Sequence, residues 1–243
     1  MAIDTPVCSF NPNPQIQLHA IDADHFCLVI DDALLHPERL RQLAIENFEQ
    51  FQQAPYNAYP GLQLGMPGEI SDPLDDFFMA YVRAALGGRR TLHMYSRLAM
   101  VTTPEAELQP RQVICHRDSQ TLAAGHCLAA SVLYLFDDAS LGGTSFYKPK
   151  QDALATDLLV HDSSTMTMVE FSAKHGIAQA YCGESNAYFE RIATIPAKFN
   201  RMIFYDGSLF HTGAIAAAEK LSKDPKAGRL TLNGFFTCRQ RAQ

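Results

Sequence analysis

The sequence predicts a mainly β fold with supporting helices, an α+β arrangement whose core is built from strands. Three observations predict it. From Arg90 onward apolar residues recur at every second position between turn residues, as in half-buried strands. Before Gly87-Gly88 they recur at helical spacing instead. Hydrophobic residues make up 47% of the 243 positions, enough for one substantial core, so a single domain over 1–243 is expected.

Residues 1–15 are polar and contain proline, which predicts a loosely held tail before a short strand at Phe26–Ile30, closed by Asp31-Asp32. Leu40, Leu43, Ala44, Phe48 and Phe51 then follow a helical period, with Pro37 suited to a first turn, so a helix is expected over 37–51. The stretch 55–68, rich in Gly, Pro and Tyr, reads as a loop. A second helix is expected with Asp72 as N-cap, Pro73 as first residue and Leu74, Phe77, Phe78, Tyr81 and Ala85 on one face, stopped by Gly87-Gly88. Together 1–90 form a helical support.

The β core occupies 91–149 and 188–240. Leu92, Met94, Leu98 and Met100 alternate in its first strand, followed by strands at 113–118, 129–136 and 144–147. Such density suggests a sandwich or a barrel. Residues 150–187 break the alternation with Met166, Val169, Ala173 and Ile177 at helical spacing, which reads as an insertion carrying a helix and placed to serve as a lid. Strands resume at 188–195, 201–205, 209–214 and 230–237.

Composition narrows the partners. The net charge is −6 and the longest cationic run is Arg89-Arg90, so nucleic acid, which needs clustered cations, is not expected. Six scattered cysteines without a Cys-x-x-Cys pair read as reduced, buried thiols. A start without basic residues and an apolar run, and the lack of any span-length apolar stretch, predict a cytoplasmic protein with no membrane partner. Oligomeric state leaves no trace.

The chemistry concentrates in Ile114-Cys115-His116-Arg117-Asp118-Ser119. In a strand, His116 and Asp118 share a face, and His211 offers a second imidazole downstream. Two histidines and one carboxylate form the facial triad that suits ferrous iron with open positions for dioxygen. The pair alone is weak, since about one His-x-acid pair arises by chance in such a composition. Another, His36-Pro37-Glu38, sits at a helix start and has a bland role there. His126, His161 and His175 have no partner at useful spacing and read as structural.

The order of the surrounding segments adds to this. His116-Arg117-Asp118 is followed by Leu133-Tyr134-Leu135-Phe136-Asp137-Asp138 and Gly142-Gly143-Thr144-Ser145-Phe146. Then come Arg201 to Asp206, Leu209-Phe210-His211 and Gly228-Arg229-Leu230-Thr231-Leu232-Asn233. In this order the pieces resemble the Fe(II)/2-oxoglutarate-dependent dioxygenases, especially their prolyl-4-hydroxylase-like branch, over about 95–237. The resemblance implies a double-stranded β-helix, or jelly roll, with the N-terminal helices packed on it. It implies His116, Asp118 and His211 as catalytic iron ligands, and Arg229 as the residue holding the distal carboxylate of the co-substrate 2-oxoglutarate. Thr231, on the same face, and Tyr134 and Tyr95 join the co-substrate pocket in this reading. The implied activity is hydroxylation, by dioxygen, of a small-molecule, amino-acid or peptide substrate. Two other readings share the architecture: a jelly-roll module that binds without turnover, and a cupin-like metalloenzyme that uses no keto acid.

Overall fold

The computed structural model describes residues 7–53, 58–118 and 122–241. In chain order its elements begin with β1 (Ile16–Ala20), β2 (Phe26–Ile30), α1 (Pro37–Glu46), β3 (Gln52–Gln53), β4 (Gly61–Gly65), α2 (Gly68–Tyr81) and β5 (Gly88–Val101). They continue with β6 (His126–Tyr134), β7 (Thr144–Pro149), α3 (Ala153–Thr165), α4 (Met168–His175), β8 (Phe189–Ile195), β9 (Met202–Asp206), β10 (Phe210–Gly213) and β11 (Arg229–Gln240).

These strands form two antiparallel sheets. The larger has the order β1-β2-β9-β6-β11-β5-β4-β3, and the smaller runs β10-β7-β8. Alternation along β9 shows how the layers stack: Met202 and Phe204 enter the core shared with α1 and α2, whereas Ile203 and Tyr205 enter a second core with Phe146 and Ile195 of the smaller sheet. Helices α1 and α2 therefore cover one face of the large sheet and the small sheet covers the other. Phe78 of α2 stacks on Phe236 of β11 with ring centroids 3.9 Å apart, and both rings are fully buried. Residues of this kind each contribute about 1.5–3 kcal/mol on burial.

Several expectations need correction. Helix α2 begins at Gly68, four residues before Asp72, because its first turn closes on the Pro67 carbonyl, which accepts from Ile70 N–H and Ser71 N–H. Pro73 lies inside the helix, at its sixth residue, and supplies no backbone N–H for the bond back to Glu69. The 55–68 stretch holds β4 rather than a plain loop. Gly61 is required there, since a Cβ would stand 2.0 Å from the Met100 carbonyl oxygen of the paired strand. The polar strand β1 at 16–20 falls between the expected tail at 1–15 and the expected strand at 26–30, where no element was foreseen; its apolar alternation is too weak to read.

No strand forms over 113–118. A 3-10 turn at Pro110–Gln112 leads into irregular backbone that meets the small sheet through one bridge, His116 to His211. The insertion carries two helices rather than one. Asp152 accepts from Ala155 N–H at the start of α3, and Thr167 with Glu170 forms a capping box on α4. Among the described residues, no helix is long and apolar enough to cross a membrane.

Candidate metal and co-substrate site

Strand β10 fixes His211, which is 5% exposed. His116 is held beside it by a reciprocal pair of backbone hydrogen bonds, His116 N–H to the His211 carbonyl at 3.0 Å and the reverse at 2.8 Å. Asp118 N–H donates to the Gly207 carbonyl at 2.9 Å. These bonds place the three side chains together although the segment is not a strand. Long-range backbone pairing, rather than strand periodicity, delivers His116 and Asp118 to one side.

The ligand-type atoms of His116, Asp118 and His211 all lie within 4.8 Å of one another. His211 Nε2 is 3.6 Å and His116 Nε2 3.9 Å from Asp118 Oδ1. Octahedral donors at about 2.1 Å from an ion stand about 3 Å apart, so the set is slightly more open than a loaded site. His211 Nδ1–H donates to the Leu209 carbonyl at 2.9 Å, which orients the ring with Nε2 toward Asp118. Asp118 Oδ2 is buried without a hydrogen-bond partner. A buried orphan carboxylate oxygen beside two bare imidazole nitrogens is the donor chemistry of a divalent ion, and the residues fit one.

The electrostatics agree. Burial pushes the Asp118 carboxyl above its ordinary range, partly offset by the charges of His211 and Arg97. Burial, then the charges of His211 and Arg97, hold the His116 imidazole well below its usual value, so it is neutral at pH 7.

Arg229 opens β11 and is 4% exposed. Its Nε–H donates to the carbonyls of Leu141 and Gly142 at 3.1 and 3.0 Å, and its Nη2 to that of Gly143 at 2.7 Å. Gly142 and Gly143 allow this cradle. Gly142 has φ +83°, and a Cβ at either position would lie within 2 Å of a carbonyl oxygen, that of Ala214 or of Ile195. Among the described residues no carboxylate forms an ion pair with Arg229; its hydrogen bonds all run to backbone carbonyls.

Arg229, Thr231 and Asn233 project from alternate positions of β11 into one inner cavity with His116, Asp118 and His211. Of the expected co-substrate residues, Thr231 thus reaches this cavity, where its Oγ1 also donates to the Ala99 carbonyl at 3.3 Å. Tyr134 stands behind the wall. Its hydroxyl bonds to Thr144 Oγ1 at 2.8 Å, and Thr144 is the residue that lines the space. Tyr95 lies outside it, in a neighbouring cleft, stacked on Phe235 at 4.8 Å.

Sequence reasoning missed Arg97 and Asn233, which are register partners on β5 and β11 and both face the inner cavity. The signal was present: Arg97 alternates with the buried Leu98 and Met100, and Asn233 continues the 229, 231 series by one more step. His175 was read as lacking a partner, yet its Nε2 lies 2.9 Å from Asp162 Oδ2. The two are on successive helices whose turn could not be foreseen.

An antiparallel two-sheet protein with a two-histidine, one-carboxylate donor set beside a buried arginine is the class that this fold and site define. The chain belongs to DUF6445, a family of unknown function whose profile matches residues 12–236. No curated protein matches it. Among solved structures it is similar to a Pseudomonas putida prolyl-4-hydroxylase at 14% identity and TM-score 0.43, covering 90% of this chain and 95% of that one. It is also similar to HygX from Streptomyces hygroscopicus with iron bound, at 13% identity and TM-score 0.48, covering 86% and 81%. Another HygX structure, holding nickel, 2-oxoglutarate and hygromycin B, is 12% identical with a TM-score of 0.44 and coverage of 86% and 82%.

Proposed function

We propose that the protein is an Fe(II)- and 2-oxoglutarate-dependent oxygenase on a jelly-roll core, hydroxylating an amino-acid, peptide or small-metabolite substrate. One observation carries this reading: Arg229 is a buried cation cradled by carbonyls, with no carboxylate paired to it among the described residues, in the same cavity as His116, Asp118 and His211. A buried charge without a counter-ion costs several kcal/mol. An anion anchored on Arg229 and reaching the donor set removes that cost, and a dicarboxylate with a metal-chelating keto group has that shape. A metalloenzyme without a keto acid leaves Arg229 unexplained.

In this reading His116, Asp118 and His211 hold the iron, and Arg229 and Thr231 bind the distal carboxylate. Loaded with ferrous iron and 2-oxoglutarate, such a site uses dioxygen to hydroxylate an unactivated carbon while the keto acid leaves as succinate and carbon dioxide. The chain's own part is orientation and exclusion of water. Helix α3 serves as the cover over the cleft: Val160 and Ser163 line it, Arg117 pairs with Asp157 at 3.2 Å, and Arg111 Nε–H donates to Ser164 Oγ at 2.8 Å. The test is succinate release from 2-oxoglutarate by the Fe(II)-loaded protein in air. Wild type is expected to form succinate slowly without substrate, and His211→Ala to form none; no succinate from wild type would count against the oxygenase.

A further inference from the structure

The cleft outside the donor set has a volume of about 360 Å³, the size of a small molecule rather than a folded partner. Its wall is cationic. Arg97, Arg111 and Arg117 line it, and among the described residues the one carboxylate in the lining is Asp118, the candidate metal ligand. Arg97 stands nearest the chemistry, since it borders both this cleft and the inner cavity.

Arg97 is held as a recognition residue would be. Its guanidinium lies 4.7 Å from the Phe235 ring centroid and 5.8 Å from that of Tyr59, and Nη1 donates to Gln63 Oε1 at 3.1 Å. Its Nε is buried without a hydrogen-bond partner, and among the described residues no carboxylate pairs with it. A fixed guanidinium with unused donors matches the paired oxygens of a carboxylate or phosphate. At the rim, Arg117 packs over Phe210 at 4.6 Å, and the Asp157 it meets is two-thirds exposed, so an incoming anion exchanges easily for that weak pair. Beside Arg97, the stacked Tyr95 and Phe235 form an apolar wall. It continues into a second hollow lined by Leu92, Leu122 and Leu128 that shares Tyr95, Phe235 and Asp118 with the cleft.

We propose that the substrate is a small amphipathic anion: a carboxylate or phosphate group held by Arg97, with Arg111 and Arg117 at the rim, and an apolar body laid on Tyr95 and Phe235. This rests on the oxygenase reading only for the word substrate; the anion site stands on the cleft itself. Arg229 takes the co-substrate in that reading and Arg97 the substrate, so the two cations have separate tasks. The apolar body then lies beside Asp118, next to the donor set.

The experiment measures saturation-transfer NMR titrations on the Zn(II)-loaded protein, with and without saturating 2-oxoglutarate. The probes are N-acetylphenylalanine against its neutral amide, and phenyl phosphate against phenol. At least one acid is expected to bind about tenfold or more tightly than its neutral partner, and which acid prevails separates carboxylate from phosphate. Arg97→Gln is expected to erase that preference, and Arg117→Gln, on the exposed rim, to reduce it. Equal affinity of acids and neutral partners, binding by none of them, or a preference untouched by Arg97→Gln overturns the proposal. The wild-type ratio needs no variant to fold. Affinity for 2-oxoglutarate is measured on the same samples. Its failure to bind sinks the oxygenase reading alone, because the acid preference is also scored in its absence.

Discussion

Replacing Arg229 by leucine removes the cation and keeps the apolar bulk. In the free protein two effects oppose each other. The carbonyls of Leu141, Gly142 and Gly143 lose their donors, at about 1–3 kcal/mol for each that stays dry, while a buried cation worth a penalty of several kcal/mol disappears. The two are of similar size, so stability is expected to change little. Binding has no such cancellation. Removing one partner of a desolvated, hydrogen-bonded charge pair costs about 2–5 kcal/mol, a loss of roughly thirty-fold to several thousand-fold in affinity. Arg229→Lys keeps the charge without the planar fork and should fall between wild type and leucine. Calorimetric titration of 2-oxoglutarate into Ni(II)-loaded protein measures all three, with Ni(II) affinity as the control, since the metal donors lie on other segments. Wild-type 2-oxoglutarate affinity in the leucine variant would refute the assignment of Arg229.

Further outcomes follow from the same geometry. Asp118→Asn should lose Fe(II)-dependent stabilisation yet melt higher than wild type without metal at pH 7. Burial raises the Asp118 pKa, so the metal-free wild type loses stability as pH rises from the ordinary value near 3.8 through the folded value, and asparagine escapes that loss; an unchanged or lower metal-free melting temperature would show that the carboxylate is compensated. Gly143→Ala drives a Cβ to 1.9 Å from the Ile195 carbonyl oxygen and should destabilise the chain by more than about 3 kcal/mol in urea unfolding, whereas Gly183→Ala, with open space around it, should be close to neutral. Asp31 is held down to about 2, chiefly by the hydrogen bond from Arg201. Its contribution is therefore present above the ordinary value of 3.8 and lost as pH falls toward 2. Discounted for its partial exposure it amounts to about 1 kcal/mol, and Asp31→Asn should flatten the acid limb of a stability–pH curve by that amount.

Much of the sheet was legible because strands such as β2 and β9 enter a core on each face and read as short, unbroken apolar runs between turn residues. The grouping of His116, Asp118 and His211 was legible too, although for a different reason from the one the sequence suggests. His116 and Asp118 are brought together by bonds to His211 and Gly207, long-range contacts that no local pattern encodes. Elements without an apolar rhythm escaped: polar β1, and β4, whose Gly61 reads as a loop residue until Met100 is seen against it. Helix α3 escaped because its apolar residues encircle it, with Leu159 buried and Leu154 and Leu158 exposed. Arg97 was overlooked in a strand that also carries Arg89 and Arg90, and only the β5–β11 register sets it opposite Asn233.

The most direct test of the central claim is an anaerobic titration of 2-oxoglutarate into the Fe(II)-loaded wild-type protein, followed by visible absorption. The account predicts one equivalent of Fe(II) bound and a charge-transfer band that grows with 2-oxoglutarate to a single saturation point, absent when Fe(II) is replaced by Zn(II). An Fe(II) protein whose spectrum and calorimetric trace are unmoved by 2-oxoglutarate would contradict it.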